Sequence, residues 1–317
     1  MPQIPILSSM WNSLTAPKLP RTSLAISETH LAMVELRQRG GNFEPRHLGV
    51  SRLPAGLVRA SFTEPNIADE AAFAEQLSKT ATQANLNRLR RLTVALPEGS
   101  ARSLVLSFDH VPHSRAEITQ MIEWKIERSF GGKISDLRVD YKRLKPLNGR
   151  AQWLVTGAHR QVAEQYDRIF NELGWQVGVV VPQHLGEAQW LLRAGLAEDQ
   201  VLVSFNERGF VVVIVRGAEP ILVREITCAP EEREDEFHRL MVFYRDRLLP
   251  ENSPVPLNRL LAIGTAEEQK RFRNTLEAAL EVRPRTLDPQ QLGLNVDPNA
   301  PFNRFAAAAG LATLGWN

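Results

Sequence analysis

The same short unit, a strand followed by a tight turn and an antiparallel strand, opens each half of this 317-residue chain. The first copy covers residues 23–36, which include the stretch LAISETHLAMVEL, and the second covers residues 201–215. In each copy, apolar runs flank a few residues suited to a turn, which is typical of buried hairpin strands. A further strand follows each unit, and helices come later. This duplication predicts an α/β chain of two lobes.

Composition limits what two such lobes could do. The chain is 43% apolar, which is enough for a sizeable core, and its net charge is only +2. Nucleic-acid binding domains are usually strongly basic, so no nucleic-acid partner is expected. The single cysteine, Cys228, excludes an intrachain disulfide and is typical of a reducing compartment. No apolar stretch approaches the ~20 residues that span a bilayer. We therefore expect a cytoplasmic protein that meets a membrane only through a partner.

Prolines and helix signals divide the chain further. Pro112 and Pro182 bracket a block of helix, two strands, helix and strand, which predicts a small inserted subdomain at residues 113–180. Within it, Ser114 and Glu117 have the spacing of a capping box at the start of the helix SRAEITQMIEWKIERSF. The other predicted parts are an extended tail at residues 1–22, a first lobe at residues 23–112, 181–198 and 301–317, and a second lobe at residues 199–300.

Several stretches, in this order and spacing, make the chain similar to a known family. They include VALPEGSARSLVLSFDHVPHSRAEITQMIEWKIERSF, LVTGAHRQVAEQYDRIFNELGWQVGVVVPQHLGEAQWL and AAAAGLATLGW. From about Ser23 to its C-terminus, the chain resembles PilM, the cytoplasmic actin-like protein of type IV pilus assembly and a relative of FtsA. The resemblance implies a two-lobed actin-like fold, related to ribonuclease H. The family's helical insertion after the second-lobe hairpin is largely missing here, which implies a reduced second lobe.

The first phosphate loop of this family departs from its pattern. Relatives that bind nucleotide carry an aspartate, any residue and then a glycine, where the aspartate organises magnesium and the glycine lets backbone N–H groups approach phosphate. Here these positions are Ala25 and Ser27, and the lysine expected after them is Ala32. Glu28 would add a carboxylate beside the phosphates, and two like charges at ~4 Å repel by roughly 1 to 4 kcal/mol. The opening turn is therefore interpreted as a phosphate loop that has become a plain hairpin.

The other two nucleotide loops are also altered. In the second phosphate loop, SFNERGF, Ser204 replaces the aspartate, Asn206 the glycine and Phe210 the threonine. The adenosine loop, a run of glycines in the family, is AIGTAEEQ with Gly264 alone. The sequence thus predicts no cofactor and no enzymatic activity, although a residual ATP-binding protein stays as an alternative.

Other motifs that could carry chemistry are weak. His110 and His113 form an H-x-x-H, but no helix carries them and no third ligand is near in sequence. Cys228 precedes the acidic run APEERED, which would raise the pKa of a thiol and make it a poor nucleophile. We therefore expect no metal site and no catalytic residue.

What remains is a role in binding. In the family, the partner is the N-terminal cytoplasmic peptide of the inner-membrane protein PilN, held between the first-lobe core and the inserted subdomain. The resemblance implies a scaffold of a type IV pilus assembly platform, peripheral to the inner membrane through this partner. The predicted partner-binding residues lie on the subdomain helix: Ile118, Met121, Ile122 and Trp124.

Two alternatives stay open at this point. One is a GspL-like cytoplasmic component of type II secretion, which shares the degenerate fold. The other concerns the partner, since self-association with a second copy would also suit a scaffold. The fold alone does not distinguish between these roles, because one fold can host different functions.

Overall fold

The computed structural model describes residues 19–112, 114–249 and 257–316. The predicted tail therefore lies outside the described residues except for its last four, as does His113. The strands are β1 (Thr22–Ile26), β2 (His30–Arg39), β3 (Asn42–Arg52), β4 (Arg91–Leu96), β5 (Arg102–Phe108), β6 (Leu137–Leu147), β7 (Arg150–His159), β8 (Gln176–Pro182), β9 (Asp199–Asn206), β10 (Gly209–Arg216), β11 (Glu219–Thr227), β12 (Arg259–Ile263) and β13 (Arg285–Thr286). The helices are α1 (Glu70–Gln83), α2 (Arg115–Phe130), α3 (Arg160–Glu172), α4 (Gln183–Ala194), α5 (Arg233–Arg247), α6 (Ala266–Leu280) and α7 (Phe302–Ala312).

Two five-stranded sheets of the same design form the two lobes. The first has the order β3-β2-β1-β4-β8 and the second the order β11-β10-β9-β12-β13. In both, an antiparallel hairpin leads and its first strand pairs in parallel with a strand further along the chain: β1 with β4, and β9 with β12. The duplicated units predicted from the sequence are therefore corresponding hairpins of two related sheets.

Helices cover both faces of both sheets. On the outer face of the first sheet, α1 and α3 bury Phe73, Leu77, Tyr166 and Ile169. On the outer face of the second sheet, α5 and α6 bury an aromatic cluster that includes Phe237. Between the sheets, α4 and α7 share one core with residues of β1, β2, β9, β10 and β12. The lobes are thus joined by a continuous apolar layer.

The central layer depends on small residues. The helix α7 buries a run of four alanines, Ala306–Ala309, followed by Gly310. Gly310 lies against the backbone of Gly186 on α4, and a Cβ added at Gly186 would come within 2.8 Å of the Ala307 carbonyl oxygen. Two helices can approach this closely because neither carries a side chain at the crossing. The helix α7 packs on β1 and β2 of the first sheet.

The inserted subdomain has different limits from those predicted. Its three-stranded sheet has the order β5-β7-β6, so β5 belongs to it and not to the first lobe. Conversely, α3 packs in the first-lobe core, and β8 is the fifth strand of the first sheet. The subdomain is thus residues 102–159, and the predicted limits of 113–180 are wrong at both ends. The cause is strand pairing, since β5 finds its partner in β7.

The described end of the predicted tail is packed on the first lobe. The guanidinium of Arg21 lies 3.6 Å above the ring of Trp316. Leu19 and Pro20 lie beside Gly178 of β8. Residues 19–22 are therefore part of the lobe, which corrects the boundary at residue 22. The reduced second lobe is also evident, since β11 ends at Thr227 and α5 begins at Arg233 after a single 3-10 turn.

Candidate functional site

The degenerate loops meet in one place, which we call the interlobe cleft. It lies between the β1–β2 turn, the β9–β10 turn, the start of α4 and Gly264 after β12, and it has a volume of about 240 Å³. Of the predicted loop residues, Ser27, Glu28, Asn206 and Gly264 line it. A cleft of this size is smaller than the roughly 300–1,000 Å³ of pockets that hold drug-sized ligands.

The first turn uses its backbone N–H groups internally. The hydroxyl of Ser27 accepts hydrogen bonds from the backbone N–H of Thr29 at 3.2 Å and of His30 at 2.9 Å. These are donors of the kind that a phosphate loop would offer to its ligand. Ala25 and Ala32 lie opposite one another in the buried strands β1 and β2. The Ser27 hydroxyl therefore accepts the hydrogen bonds that a bound phosphate would otherwise accept from these amides.

The second turn is closed in the same manner. The side-chain oxygen of Asn206 accepts a hydrogen bond from the backbone N–H of Arg208 at 2.9 Å. Phe210 does not reach the cleft, because it is fully buried among Phe237 and Phe272 in the second-lobe core. The position that would carry a threonine hydroxyl therefore carries a core aromatic ring.

The third loop is covered. The ring of Phe205 lies directly over Gly264, so that even an added Cβ would overlap it, and the Glu268 carboxylate approaches from the other side. The same ring packs edge-on against Phe272 with centroids 4.6 Å apart. This packing fixes Phe205 over the surface of the adenosine loop.

Contacts of Arg208 with Glu28 and Ala60 join the lobes across the cleft. The carboxylate of Glu28 accepts a hydrogen bond from the backbone N–H of Ala60 at 2.6 Å. Arg208, from the other lobe, donates to the Ala60 carbonyl and lies 3.5 Å from the same Glu28 oxygen. Glu28 and Arg208 thus hold the two turns together around one residue, Ala60. Side chains connect the turns where a nucleotide would bring its phosphates.

A buried polar chain lies behind the cleft. His184 of α4 contacts Glu98 through Nδ1 at 2.9 Å and Ser103 of β5 through Nε2. Glu98 also caps α4, accepting from the His184 backbone N–H at 2.6 Å. Burial alone would lower the pKa of His184, but the nearby carboxyl groups, Glu98 above all and then Glu225 and Glu187, together outweigh it and raise the pKa. This chain ties the first lobe, the subdomain and the central helix together.

Glu187 lies one turn further along α4. Burial raises the pKa of its carboxyl to about 8, against a weaker opposing effect of a hydrogen bond with Ser204. Its Oε2 atom has no hydrogen-bond partner among the described residues. Sequence reasoning did not single out Glu187, although a glutamate within the largely apolar segment LGEAQWLL is an unusual position for that residue type.

The predicted partner-binding residues do not form one surface. Ile122 is fully buried against the subdomain sheet, whereas Trp124, two residues later on α2, is 53% exposed on the opposite face. Ile118 and Met121 pack at the margin of the same core as Ile122. The prediction of a shared partner site is therefore wrong for Ile122, because that side chain has no free surface to offer.

A second cleft lies where the subdomain meets both lobes, and we call it the junction cleft. It has a volume of about 480 Å³. Two sheet edges line it, the β5 edge of the subdomain sheet and the β11 edge of the second sheet. Its apolar lining residues are Phe62, Leu104, Phe130 and Val223. An apolar floor between sheet edges is the geometry to which an extended peptide adds a strand.

The fold defines a class of protein. A solved structure of a Bacteroides thetaiotaomicron protein with actin-like ATPase fold and unknown function is 11% identical, with a TM-score of 0.50, and covers 96% of this chain and 98% of its own. Together with the duplicated sheets, this likeness identifies the two-lobed actin-like fold predicted from the sequence. No protein-family model and no curated relative matches the sequence.

A more specific likeness is to PilM. The solved PilM-PilN type IV pilus biogenesis complex contains a chain that is 18% identical, with a TM-score of 0.74. The match covers 95% of this chain and the whole of that one. The resemblance to PilM drawn from the sequence is thus confirmed for the fold.

Two kinds of feature are absent from the described part of the chain. Within residues 19–112, 114–249 and 257–316, no cluster of three His, Cys, Asp or Glu has the arrangement to hold a metal ion. In the same ranges, no helix has the length and apolar character to cross a bilayer.

Proposed function

We propose that this protein is a non-catalytic, PilM-like scaffold of a type IV pilus assembly platform, and that it binds the cytoplasmic N-terminal peptide of a PilN-like inner-membrane protein. The observation that carries the proposal is the full-length likeness to PilM, which was solved together with PilN. In this proposal, the protein lies in the cytoplasm and reaches the inner membrane only through its partner.

The junction cleft is the proposed peptide site. Leu104 of β5 and Val223 of β11 face the space between two sheet edges, and Phe62 and Phe130 meet edge-on beneath it at 5.6 Å. An extended peptide would gain main-chain hydrogen bonds from an edge strand and apolar contacts from this floor. Such binding needs no hydrolysis, which agrees with the closed turns of the interlobe cleft.

A pair of variants tests this site. Leu104→Asp places a charge on the cleft floor, and we expect it to weaken binding of a PilN-like N-terminal peptide by at least about tenfold. Trp124→Asp makes the same chemical change on the exposed face of α2, and binding should stay within about twofold of wild type. Calorimetric titration of the synthetic peptide measures both.

The opposite outcome would be equally clear. Loss of binding in Trp124→Asp with retention in Leu104→Asp would move the site to the helix face predicted from the sequence. Circular dichroism and the urea midpoint of each variant separate a lost contact from a lost fold. The scaffold proposal is rejected if wild type binds none of the N-terminal peptides of the pilus and secretion membrane proteins encoded by neighbouring genes.

The same proposal makes a prediction about nucleotide. The side chains of Ser27 and Asn206 already accept hydrogen bonds from the backbone amides of the two turns, and the ring of Phe205 covers Gly264. We therefore expect no heat of binding from magnesium ATP at millimolar concentration. A micromolar dissociation constant by calorimetry would contradict this and would favour the residual ATP-binding alternative.

A further inference from the structure

The interlobe cleft contains a carboxyl group that nothing in the described chain fully satisfies. Glu187 is 3% exposed and lines the cleft, and its Oε2 atom has no hydrogen-bond partner among the described residues. Buried polar atoms in native proteins are nearly always paired, so an exception calls for a ligand or a function. Its other contact is the Ser204 hydroxyl, at the position of the lost aspartate.

Carboxyl groups outnumber guanidinium groups in the lining of the cleft. Four glutamates and two arginines line it: Glu28, Glu98, Glu187, Glu207, Arg208 and Arg304. Arg208 is already engaged by Glu28, and Glu98 by His184. The Oε2 atom of Glu187 has no such partner among the described residues. Once Glu187 is ionised, negative groups exceed positive groups in this lining, which disfavours a polyphosphate and favours a cation.

The chemistry of the walls selects among cations. Phe205 offers an aromatic ring, and rings of this kind attract ammonium groups through their faces. Amide side chains at Gln183, Asn206 and Asn303 supply further oxygens. Within the described residues there is no three-ligand cluster for a metal ion, so an organic cation fits better than a metal. The volume of about 240 Å³ limits the ligand to a small one.

We propose that the interlobe cleft binds a small organic cation through its ammonium group, with Glu187 as the counter-ion and Phe205 as the aromatic wall. This site is separate from the junction cleft and does not depend on the proposed peptide. The ammonium could belong to a free amine or to a lysine side chain of a partner. These two sources share the same recognition chemistry.

Binding would be coupled to a proton. Because burial raises the pKa of Glu187 to about 8, its carboxyl is neutral at pH 6 and must release a proton to face a cation. The groups that bear on Glu187 are Glu98 from the β4–β5 loop, His184 from its own helix and Ser204 from β9. Affinity for the cation should therefore rise by up to about tenfold per pH unit between pH 6 and pH 8.

The test titrates the full chain with putrescine, with acetyl-lysine amide and with uncharged 1,4-butanediol. We expect at least one of the two amines to bind wild type in the millimolar range or tighter, and butanediol not to bind. The better amine identifies the source as a free amine or a lysine side chain. Glu187→Gln keeps the shape and removes the charge, and it should weaken amine binding by at least about tenfold.

Glu207→Gln is the matched control. Glu207 is exposed at the rim of the same cleft, and its loss removes the same formal charge without touching the buried carboxyl. Amine affinity of this variant should stay within about twofold of wild type. Equal weakening in both variants, equal binding of butanediol, or no amine binding by wild type at any pH from 6 to 9 would overturn the proposal.

Discussion

Replacing Gly310 with alanine is expected to destabilise the protein by about 3 kcal/mol or more. A Cβ at this position would overlap the carbonyl oxygen of Gly186 on the facing helix α4. The obstacle is backbone, which cannot rotate away as a flexible side chain could. Relief requires α4 and α7 to separate, and that would loosen the apolar layer between both sheets. The free energy of unfolding in urea measures the effect.

Asn303→Ala on the same helix is the control for this prediction. Asn303 is exposed near the start of α7, so its replacement should change the free energy of unfolding by less than about 0.5 kcal/mol. A cost below about 1 kcal/mol for Gly310→Ala would mean that the two helices can shift apart freely. The close crossing would then have no energetic importance.

The stability of wild type is expected to fall as the pH rises from 5 to 8, with a slope that Glu187→Gln removes in part. The folded-state pKa of Glu187, about 8, lies above its ordinary value of 4.5, so the folded state holds a proton that the unfolded state has released. The contribution is fully present below pH 4.5 and is lost as the pH rises through 8. One such proton gives a slope of up to about 1.4 kcal/mol per pH unit.

His184 adds to this dependence with the same sign. Its folded-state pKa is also raised, from an ordinary value of 6.5, so its contribution is lost only above that pH. Between pH 5 and 6.5 His184 does not contribute, whereas Glu225, whose pKa burial also raises, adds to the fall, and His30, whose pKa burial lowers, opposes it. In that window Glu187→Gln should make the slope less negative than that of wild type by up to about 1.4 kcal/mol per pH unit, and at pH 8 this variant should be more stable than wild type by on the order of 3 kcal/mol.

Urea midpoints measured across this pH range, at constant ionic strength, give the profile. Glu207→Gln is again the comparison, because an exposed carboxylate has the same environment in both states and should leave the slope as in wild type. Equal slopes for wild type and Glu187→Gln from pH 5 to 6.5 would show that Glu187 is ionised in the folded protein.

Local sequence signals predicted the elements that depend on local physics. The two hairpins and the start of α2 after Ser114 were both foreseeable from turn residues and apolar spacing. Even there, detail differs. Ser114 makes no side-chain cap, whereas Thr265 and Glu268 form a full capping box at the start of α6. Cap geometry depends on side-chain orientation as well as spacing.

Pairing between distant segments was beyond the sequence. The strands β4 and β5 are adjacent, short and apolar, and so resemble two strands of one sheet. In the structure β4 pairs with β1 and β8, while β5 pairs with β7. Which strand pairs with which depends on long-range contacts that no local pattern encodes. The subdomain boundary was misplaced for this reason.

The sequence likewise predicted some features of the candidate site and not others. The loss of the nucleotide loops followed from residue types at Ala25, Ser27, Ser204 and Asn206. The residue types did not show which side chains accept hydrogen bonds from the amides of these loops, because that depends on side-chain orientation. Similarly, α2 carries apolar residues on two faces, so periodicity could not decide between Ile122 and Trp124. The contacts of Glu187 join helix α4 to β9 and to the β4–β5 loop, and these are far apart in sequence.

The contact of Arg208 with Glu28 and Ala60 has a consequence for how this protein could respond to its surroundings. A diffusible ligand that joined the two turns would close the cleft to an extent set by its concentration. Here both halves of the connection belong to one chain, so its strength depends on an effective concentration that the fold itself fixes. Contact between the two turns therefore needs no nucleotide to bridge them.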